Sequence, residues 1–422
     1  MNFLTLVSTI ITAIFLLITL SYYFVLFFKK KNLGDRSVSF SMLSILIPAH
    51  NEERFIKECL ISVKSSLLSI PFEVFVVDDG SSDSTSNVVN EFILSNPDFN
   101  CKLIRHSHSG KSHSLNIAFA QASGDVVAVV DADSVVDRNA FSFCVDLLSF
   151  DNVGAVTSTI KVKNNTKFIG MWLHLEQLYN SLVRSLFAKL GVNIVTPGPL
   201  SVYRVDVLRE IGGFETKGFS EDVDVAVRIL KSGFFVECEQ RAVSETYMPV
   251  SVKGFLRQRF RYARGWINIF GRHLKLNKSL AEIYTLPLAF FWYFQAVVMG
   301  AITLYNIISG YLNYFVSQGV YFSFSVVKFF FDWFSIVGTI QWFISVVSGA
   351  TPLTIVEIIG IPASLLVYPL FLIAIFRYDK RLSWFHIIPF IFMFPFWFVL
   401  MIIYIVSLPE VFNKNQRNIW VK

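Results

Sequence analysis

Four short clusters in this 422-residue chain carry side chains suited to chemistry. Asp78-Asp79-Gly80-Ser81 and Asp131-Ala132-Asp133 each follow an apolar run, and Ser220-Glu221-Asp222 opens a helical stretch. Asp131 and Asp133, two residues apart on a turn, can direct carboxylates toward one Mg2+ or Mn2+. Such hard ions keep few protein ligands and take the rest from water or phosphate oxygens. The same pair also makes an ordinary turn. Asp78-Asp79 reads either as a turn into a capped helix or as a contact to a nucleotide base or ribose. Ser220 before Glu221 and Asp222 is ordinary helix N-terminal stabilisation; its chemical reading makes Asp222 a general base. Residues 257–266 read Arg-Gln-Arg-Phe-Arg-Tyr-Ala-Arg-Gly-Trp. On a helix, Gln258, Arg261 and Tyr262 share a face. That face suits an interfacial helix on acidic lipid, or Arg261 on a diphosphate with Tyr262 stacked on a sugar. Nucleic acid is another use of basic and aromatic residues, but the position just before an apolar span argues against it.

The elements that must hold these residues follow from hydrophobic patterning. Leu43–Pro48 and Phe72–Val77 are apolar runs of the kind that form buried parallel strands. Helical periodicity runs from Glu52 to about Leu68. Lys102–Arg105 gives a third strand, Ser112–Ala122 a helix and Asp125–Val130 a fourth strand. Alternating strands and helices predict a mostly parallel, Rossmann-like α/β sheet covered on both faces. Ligands bind beyond the carboxyl ends of such strands, where Asp78, Asp79, Asp131 and Asp133 all stand. Residues 167–190 are amphipathic and fit a membrane surface or a core equally well.

The chain is 54% hydrophobic and 16% charged with 44 Phe, where soluble domains are about 25% charged. Residues 1–28 and 284–407 hold almost no charge, and the part between reads as an ordinary α/β domain. The net charge of +6 is modest and does not by itself point to nucleic acid. Basic residues cluster at Lys29–Lys31 and between Lys253 and Lys278, flanking apolar spans as on a cytoplasmic face. The four cysteines lack any close pair, so no metal spacing or disulfide framework follows. The expected organisation is a transmembrane helix over 1–28, a cytoplasmic domain over 29–250 and a basic interfacial segment over 251–283. Three to four transmembrane helices over 284–407 and a tail over 408–422 complete it. The apolar stretches lie near 284–309, 319–349, 352–376 and 384–407. Lys328 and Asp332 place part of the second in an interface or protein-lined cavity. Counting every stretch as a span puts Arg377, Lys380 and Arg381 outside, against the positive-inside rule. Pro389 and Pro395 make 384–407 the candidate re-entrant segment.

Taken in order, the motifs resemble the inverting family 2 glycosyltransferases of GT-A fold. The membrane-integrated branch, with the synthases of hyaluronan, chitin, cellulose and poly-N-acetylglucosamine, is the nearest. The resemblance runs from Pro48-Ala49-His50-Asn51-Glu52-Glu53 through Val77-Asp78-Asp79-Gly80-Ser81, Gly110-Lys111 with Leu115-Asn116, and Asp131-Ala132-Asp133. It continues through Gly198-Pro199-Leu200-Ser201-Val202-Tyr203-Arg204, Ile211-Gly212-Gly213-Phe214 and Ser220-Glu221-Asp222. Gln258-Arg259-Phe260-Arg261-Tyr262 closes it. The resemblance implies Asp222, Glu221 and Arg261 as catalytic residues and Asp131 and Asp133 as holders of Mg2+ or Mn2+. It implies a substrate site made of Pro48, Asn51, Glu52, Asp79, Lys111, Asp131, Gly198, Tyr203, Gln258 and Tyr262. Within that site Asp79 would contact the nucleotide base, and Gln258 and Arg261 would close over the donor. A nucleotide sugar, usually a UDP-sugar, would be the donor, and the partners would be a carbohydrate or lipid-linked acceptor and membrane lipids, with no nucleic acid. The implied setting is the cell membrane, with the catalytic domain in the cytoplasm. Tyr262 stands where polymerising members carry Trp. This leaves two expectations: extension of a polysaccharide with export, or transfer of a single sugar to a lipid carrier or glycolipid.

Overall fold

The computed structural model describes residues 3–274, 281–334 and 336–409. A long apolar helix, α1 (Phe3–Phe27), leads into the sheet domain. The domain begins β1 (Leu43–Ala49), α2 (Ile56–Lys64), β2 (Phe72–Asp79), α3 (Thr85–Ser95), β3 (Cys101–His106), α4 (Lys111–Gln121) and β4 (Val126–Val129). It continues β5 (Ser134–Val136), α5 (Ala140–Leu148), β6 (Val153–Val162), α6 (Phe168–Leu190), β7 (Ser201–Arg204), α7 (Val205–Glu210), α8 (Glu221–Lys231) and β8 (Phe235–Thr246). α9 (Val252–His273) carries the basic–aromatic motif, and its N-cap Ser251 accepts the Gly254 N–H.

The strands form one eight-stranded sheet in the order β3-β2-β1-β4-β7-β6-β8-β5. β1, β2, β3 and β4 are mutually parallel, as the alternating pattern predicts. Beyond β4 the sheet is mixed: β7 is antiparallel to both β4 and β6, β8 is parallel to β6, and β5 is antiparallel to β8. Apolar residues on the two sheet faces pack under α2, α3 and α5 on one side and α4, α7 and α8 on the other. Register fixes the site edge. Ala49 lies level with Asp78, and β4 ends at Val129 level with Leu46, so all three parallel strands point their carboxyl ends at one edge. Because β7 runs against β4, Val129 pairs with Ser201 and the segment before β7 crosses the same edge.

α6 joins the sheet domain to the apolar helices. Leu173, Leu175, Leu178, Leu182 and Leu186 are buried together with Tyr22, Val25, Leu370, Phe371 and Ile375. Its amphipathic pattern therefore serves a core between domain and helices. Gly191, at φ 77°, ends the helix in the left-handed conformation that favours glycine.

After α9 come α10 (Leu286–Tyr314), α11 (Phe324–Phe334), α12 (Ile336–Val347), α13 (Ile355–Leu365), α14 (Val367–Tyr378), α15 (Trp384–Ile391) and α16 (Met393–Ser407). Among the described residues three helical segments are long and apolar enough to cross a membrane: Phe3–Phe27, Ile283–Gln318 and Ile355–Tyr378. Among the described residues, the stretch 319–349 has no helix long enough to cross a membrane. It folds as α11 and α12, of 11 and 12 residues, each about 17 Å long against a ~30 Å hydrocarbon core. α11 presents Lys328 and Asp332 as an exposed pair. The stretch 384–407 is α15 and α16, bent by 60° at their junction. The loop after α14 lies against the sheet domain: Arg377 Nε donates to Gln240 Oε1 at 2.6 Å and Lys161 Nζ meets Asp379 Oδ1 at 2.8 Å. This corrects the count that puts Arg377, Lys380 and Arg381 on the far side. All of the basic run 275–278 and most of the tail 408–422 lie outside the described residues.

Candidate active site

The turn after β1 is stitched to the turn after β2. Asn51, at φ 57°, donates its N–H to Ser81 Oγ at 2.9 Å, and its side-chain carbonyl accepts the Ser82 N–H at 2.9 Å. The Glu52 N–H bonds Thr85 Oγ1 at 2.7 Å, and Glu52 is 4% exposed. Pro48 pairs with Val77 inside the sheet. Asn51, Glu52 and Pro48 thus shape the edge on which the site stands.

Asp79 is completely buried. Its carboxylate accepts the N–H groups of Ser109 at 2.7 Å and Gly110 at 2.9 Å, with His108 Nδ1 at 2.9 Å. His50 Nδ1 meets the Asp79 carbonyl at 2.8 Å, and the His50 and His108 rings stack at 4.2 Å. The Asp79 oxygens hold the 107–110 loop, and through Gly110 they set the first turn of α4.

The residue so positioned is Lys111, 8% exposed. Its Nζ lies 2.7 Å from Asp131 Oδ1 and 3.0 Å from Glu221 Oε1. Asp131 also donates its N–H to the Gly198 carbonyl at 3.0 Å. A Cβ at Gly198 would collide with both the Asp131 carboxylate and the Lys111 ammonium, so only glycine lets the segment before β7 close here. Asp133 faces β8, where Thr246 Oγ1 donates to its Oδ1 at 3.3 Å. Tyr203, on β7, is buried in the wall of a small cavity of about 10 Å3 that Lys111, Glu221 and Asp222 also line. A larger hollow of about 350 Å3 lies by Ser41, Asp125 and Arg204, at the opposite, amino-terminal edge of the parallel strands.

Glu221 and Asp222 occupy the first turn of α8. Thr196 ties that turn to the wall, its Oγ1 donating to the Asp222 carbonyl at 2.7 Å. Burial pushes the Asp222 carboxyl up to about 6; the neighbouring Glu221 charge adds to this and Lys111 opposes it. α9 crosses above. Gly265 permits its close approach to α8, since a Cβ there would strike Ser220 Oγ. The Arg261 guanidinium feels the charges of Glu221, Asp131 and Asp222, and it lies 5.5 Å from the Tyr262 ring. Tyr262 is 37% exposed, with Arg259 5.6 Å from its ring. Gln258 donates to Met248 Sδ at 3.1 Å, while its buried Oε1 has no partner among the described residues.

Two anchors of α9 were not legible in the motifs. Arg259 grips Glu176 of α6, with Nη1 to Oε1 at 2.7 Å. Asp224, 1% exposed, meets His273 Nε2 at 2.8 Å, Arg272 Nη1 at 3.1 Å and Arg228 Nε at 2.6 Å. Only the Asp224–Arg228 spacing of four was visible beforehand; the other partners are distant in sequence.

Farther off, His174, Asp379 and His386 have the composition of a metal site. Their hydrogen bonds say otherwise. The Val162 N–H points at His174 Nδ1 at 3.2 Å and the Ser383 N–H at His386 Nδ1 at 3.1 Å, so both Nδ1 atoms are acceptors. Each Nε2 then carries the proton and donates to Asp379 Oδ2, at 2.6 and 3.0 Å. The cluster is a hydrogen-bonded knot, and its two histidines and Lys161 hold the Asp379 carboxyl well below the usual range.

A glycosyl transferase family 2 model matches residues 44–212. The Bacillus subtilis protein named probable glycosyltransferase YdaM is 30% identical over 61% of this chain and 64% of its own length, a little under two thirds of that relative. A poly-beta-1,6-N-acetyl-D-glucosamine synthase of Staphylococcus epidermidis is 26% identical over 74% of each chain. The mannosyltransferase PcManGT of Pyrobaculum calidifontis, solved with GDP-Man and Mn2+, superposes with a TM-score of 0.61 at 20% identity. That likeness covers 90% of this chain and 100% of the other, and it shows the fold. Residues 44–212 thus match glycosyl transferase family 2, on a mixed Rossmann-like sheet of GT-A fold with an acid cluster at its strand ends, joined to apolar helices of membrane-spanning length.

Proposed function

We propose that the chain transfers a sugar, with inversion, from a nucleoside-diphosphate sugar to a growing polysaccharide at the cytoplasmic face of the cell membrane. One observation carries this reading: α4, the end of β4, α8 and α9 bring Lys111, Asp131, Glu221, Asp222 and Arg261 to one place. Asp222 is suited to take the proton of the acceptor hydroxyl, since a carboxyl raised by burial is a stronger base than a solvated one. Arg261 supplies fixed positive charge where the leaving diphosphate develops negative charge. The unpaired Gln258 Oε1 is an acceptor for a substrate hydroxyl, and Tyr262 offers a ring face to an acceptor sugar. A divalent ion fits this donor set. Asp131 already holds a cation, Lys111, and its carboxylate is a hard oxygen donor of the kind such ions take. Asp131 and Asp133 would hold Mg2+ or Mn2+, which when bound neutralises the diphosphate. The relation to a polysaccharide synthase over 74% of both chains supports a UDP-sugar, UDP-N-acetylglucosamine first.

Tyr262 in the place of Trp favours a second reading, single transfer to a lipid-linked acceptor. Purified protein in nanodiscs, given each radiolabelled nucleotide sugar with Mn2+ or Mg2+, separates the two. High-molecular-weight, glycosidase-sensitive product from one donor supports the polymer reading. A small product extracted into organic solvent replaces it with the second, and no transfer from any donor defeats both.

A further inference from the structure

We propose that Lys111 is the resident cation of the acid cluster and must leave Asp131 before a divalent ion binds, so that metal is excluded until a nucleotide diphosphate arrives. The inference rests on the reading of Asp131 as a metal-holding residue. Its basis is geometric. The Lys111 Nζ sits between two carboxylates from different elements, 2.7 Å from Asp131 Oδ1 and 3.0 Å from Glu221 Oε1. It is nearly buried, and its helix start is pinned by the grip of Asp79 on the Ser109 and Gly110 N–H groups. Gly198 closes the other side so tightly that no Cβ fits. An ammonium and a divalent ion cannot share one carboxylate oxygen, because their repulsion at that distance is large, and the nearly buried Lys111 is only weakly screened by water. Without another anion, Lys111 has nowhere to go that matches Asp131 and Glu221. A diphosphate supplies that anion: the lysine turns from Asp131 to a phosphate oxygen as the metal takes its place. Metal and nucleotide then bind with positive coupling, and the coupling is reciprocal.

The test is Mn2+ binding to the full-length protein in nanodiscs, followed by loss of the free-ion EPR signal, with and without UDP. Without UDP, Lys111→Met and Lys111→Gln bind Mn2+ at least about ten-fold more tightly than wild type, whereas Lys111→Arg keeps the weak wild-type affinity. Asp131→Asn in the Lys111→Met background removes the gain, locating it at this carboxylate. Lys111→Gln preserves a hydrogen bond to Asp131 without the charge, so the comparison survives if the Met variant fails to fold. Uncharged variants that bind Mn2+ no better than wild type, while UDP still promotes binding, overturn the exclusion role alone. If UDP promotes Mn2+ binding in neither wild type nor variants, the metal-holding assignment of Asp131 falls with it.

Discussion

Asp222 is the residue on which the proposed chemistry turns, and its environment makes its protonation measurable. Its carboxyl is raised to about 6, first by burial and then by Glu221. A carboxyl raised in this way keeps its proton up to about pH 6, so the basic form needed for catalysis appears only above that. The expected kcat/KM profile rises through pH 6 and flattens by pH 7. The stability effect has the opposite sign. The folded state binds this proton more tightly than the unfolded chain, so its contribution is present in acid and lost as pH rises through about 6. Asp222→Asn removes the base and lowers kcat by roughly 10²–10⁴-fold while donor binding is retained. Retention of more than a tenth of wild-type kcat, or an acid limb unchanged in the variant, would remove Asp222 from the role. At this scale the sequence exposes the identities but not the directions of side chains. Asp131, Glu221, Asp222 and Arg261, far apart in sequence, converge in the fold. The hold of Asp79 on a loop about thirty residues onward was not legible, because a strand-end aspartate reads the same whichever way its carboxylate points.

α9 is the element that brings the basic–aromatic motif over the acids, and it is held by charge near both ends. Arg259 is fixed to Glu176 on α6, and Arg272 and His273 are fixed to Asp224 on α8. Asp224 lies two residues from Asp222, so the same helix turn that carries the base also anchors the lid above it. Asp224→Ala leaves Arg228, Arg272 and His273 around an uncompensated buried site, at a cost of about 3 kcal/mol. The expected outcome is a melting temperature lower by about 6–12 °C and a raised donor KM, since Arg261 loses its fixed height. Thermal unfolding with paired kinetics checks it, and an unchanged KM would make Asp224 a purely structural anchor. β1 to β4 were legible because each is a local apolar run closed by a turn. The mixed half was not, since β7 is four residues long and β8 pairs with strands on either side that are distant in sequence. The 319–349 stretch likewise has the composition of a span, but its described residues give helices of only 11 and 12 residues.

Across the whole molecule, the Asp379 knot fixes how the helices are threaded. The α1 hydroxyl of Tyr23 donates to the Leu366 carbonyl at 2.5 Å, and a Cβ at Gly360 would touch Thr12, so α13 and α14 run alongside α1 in the same direction. Both reach the sheet domain at their carboxyl ends, where Asp379 accepts from His174, His386 and Lys161. α10 starts from the domain and ends at the turn beside Ser317, and α11 packs back on it through Phe329 and Gly310. α15 stays on the domain side, with Trp172 donating to the Pro389 carbonyl at 3.2 Å. Positive charge on Arg377, Lys380 and Arg381 therefore sits on the domain side, which the positive-inside rule makes the cytoplasmic side in the topology we propose. All four native cysteines are buried, so single exposed cysteines can report sidedness on the otherwise native chain. Arg381→Cys, next to the knot, and Ser317→Cys and Ser348→Cys, at the other ends of the spans, are exposed positions. In intact cells an impermeant maleimide is expected to label Ser317→Cys and Ser348→Cys and to spare Arg381→Cys. Inside-out vesicles should reverse the pattern. Labelling of Arg381→Cys from the same side as Ser317→Cys would mean the α14–α15 loop does not rest on the catalytic domain. Asp379 would then have no part in docking the helices to it.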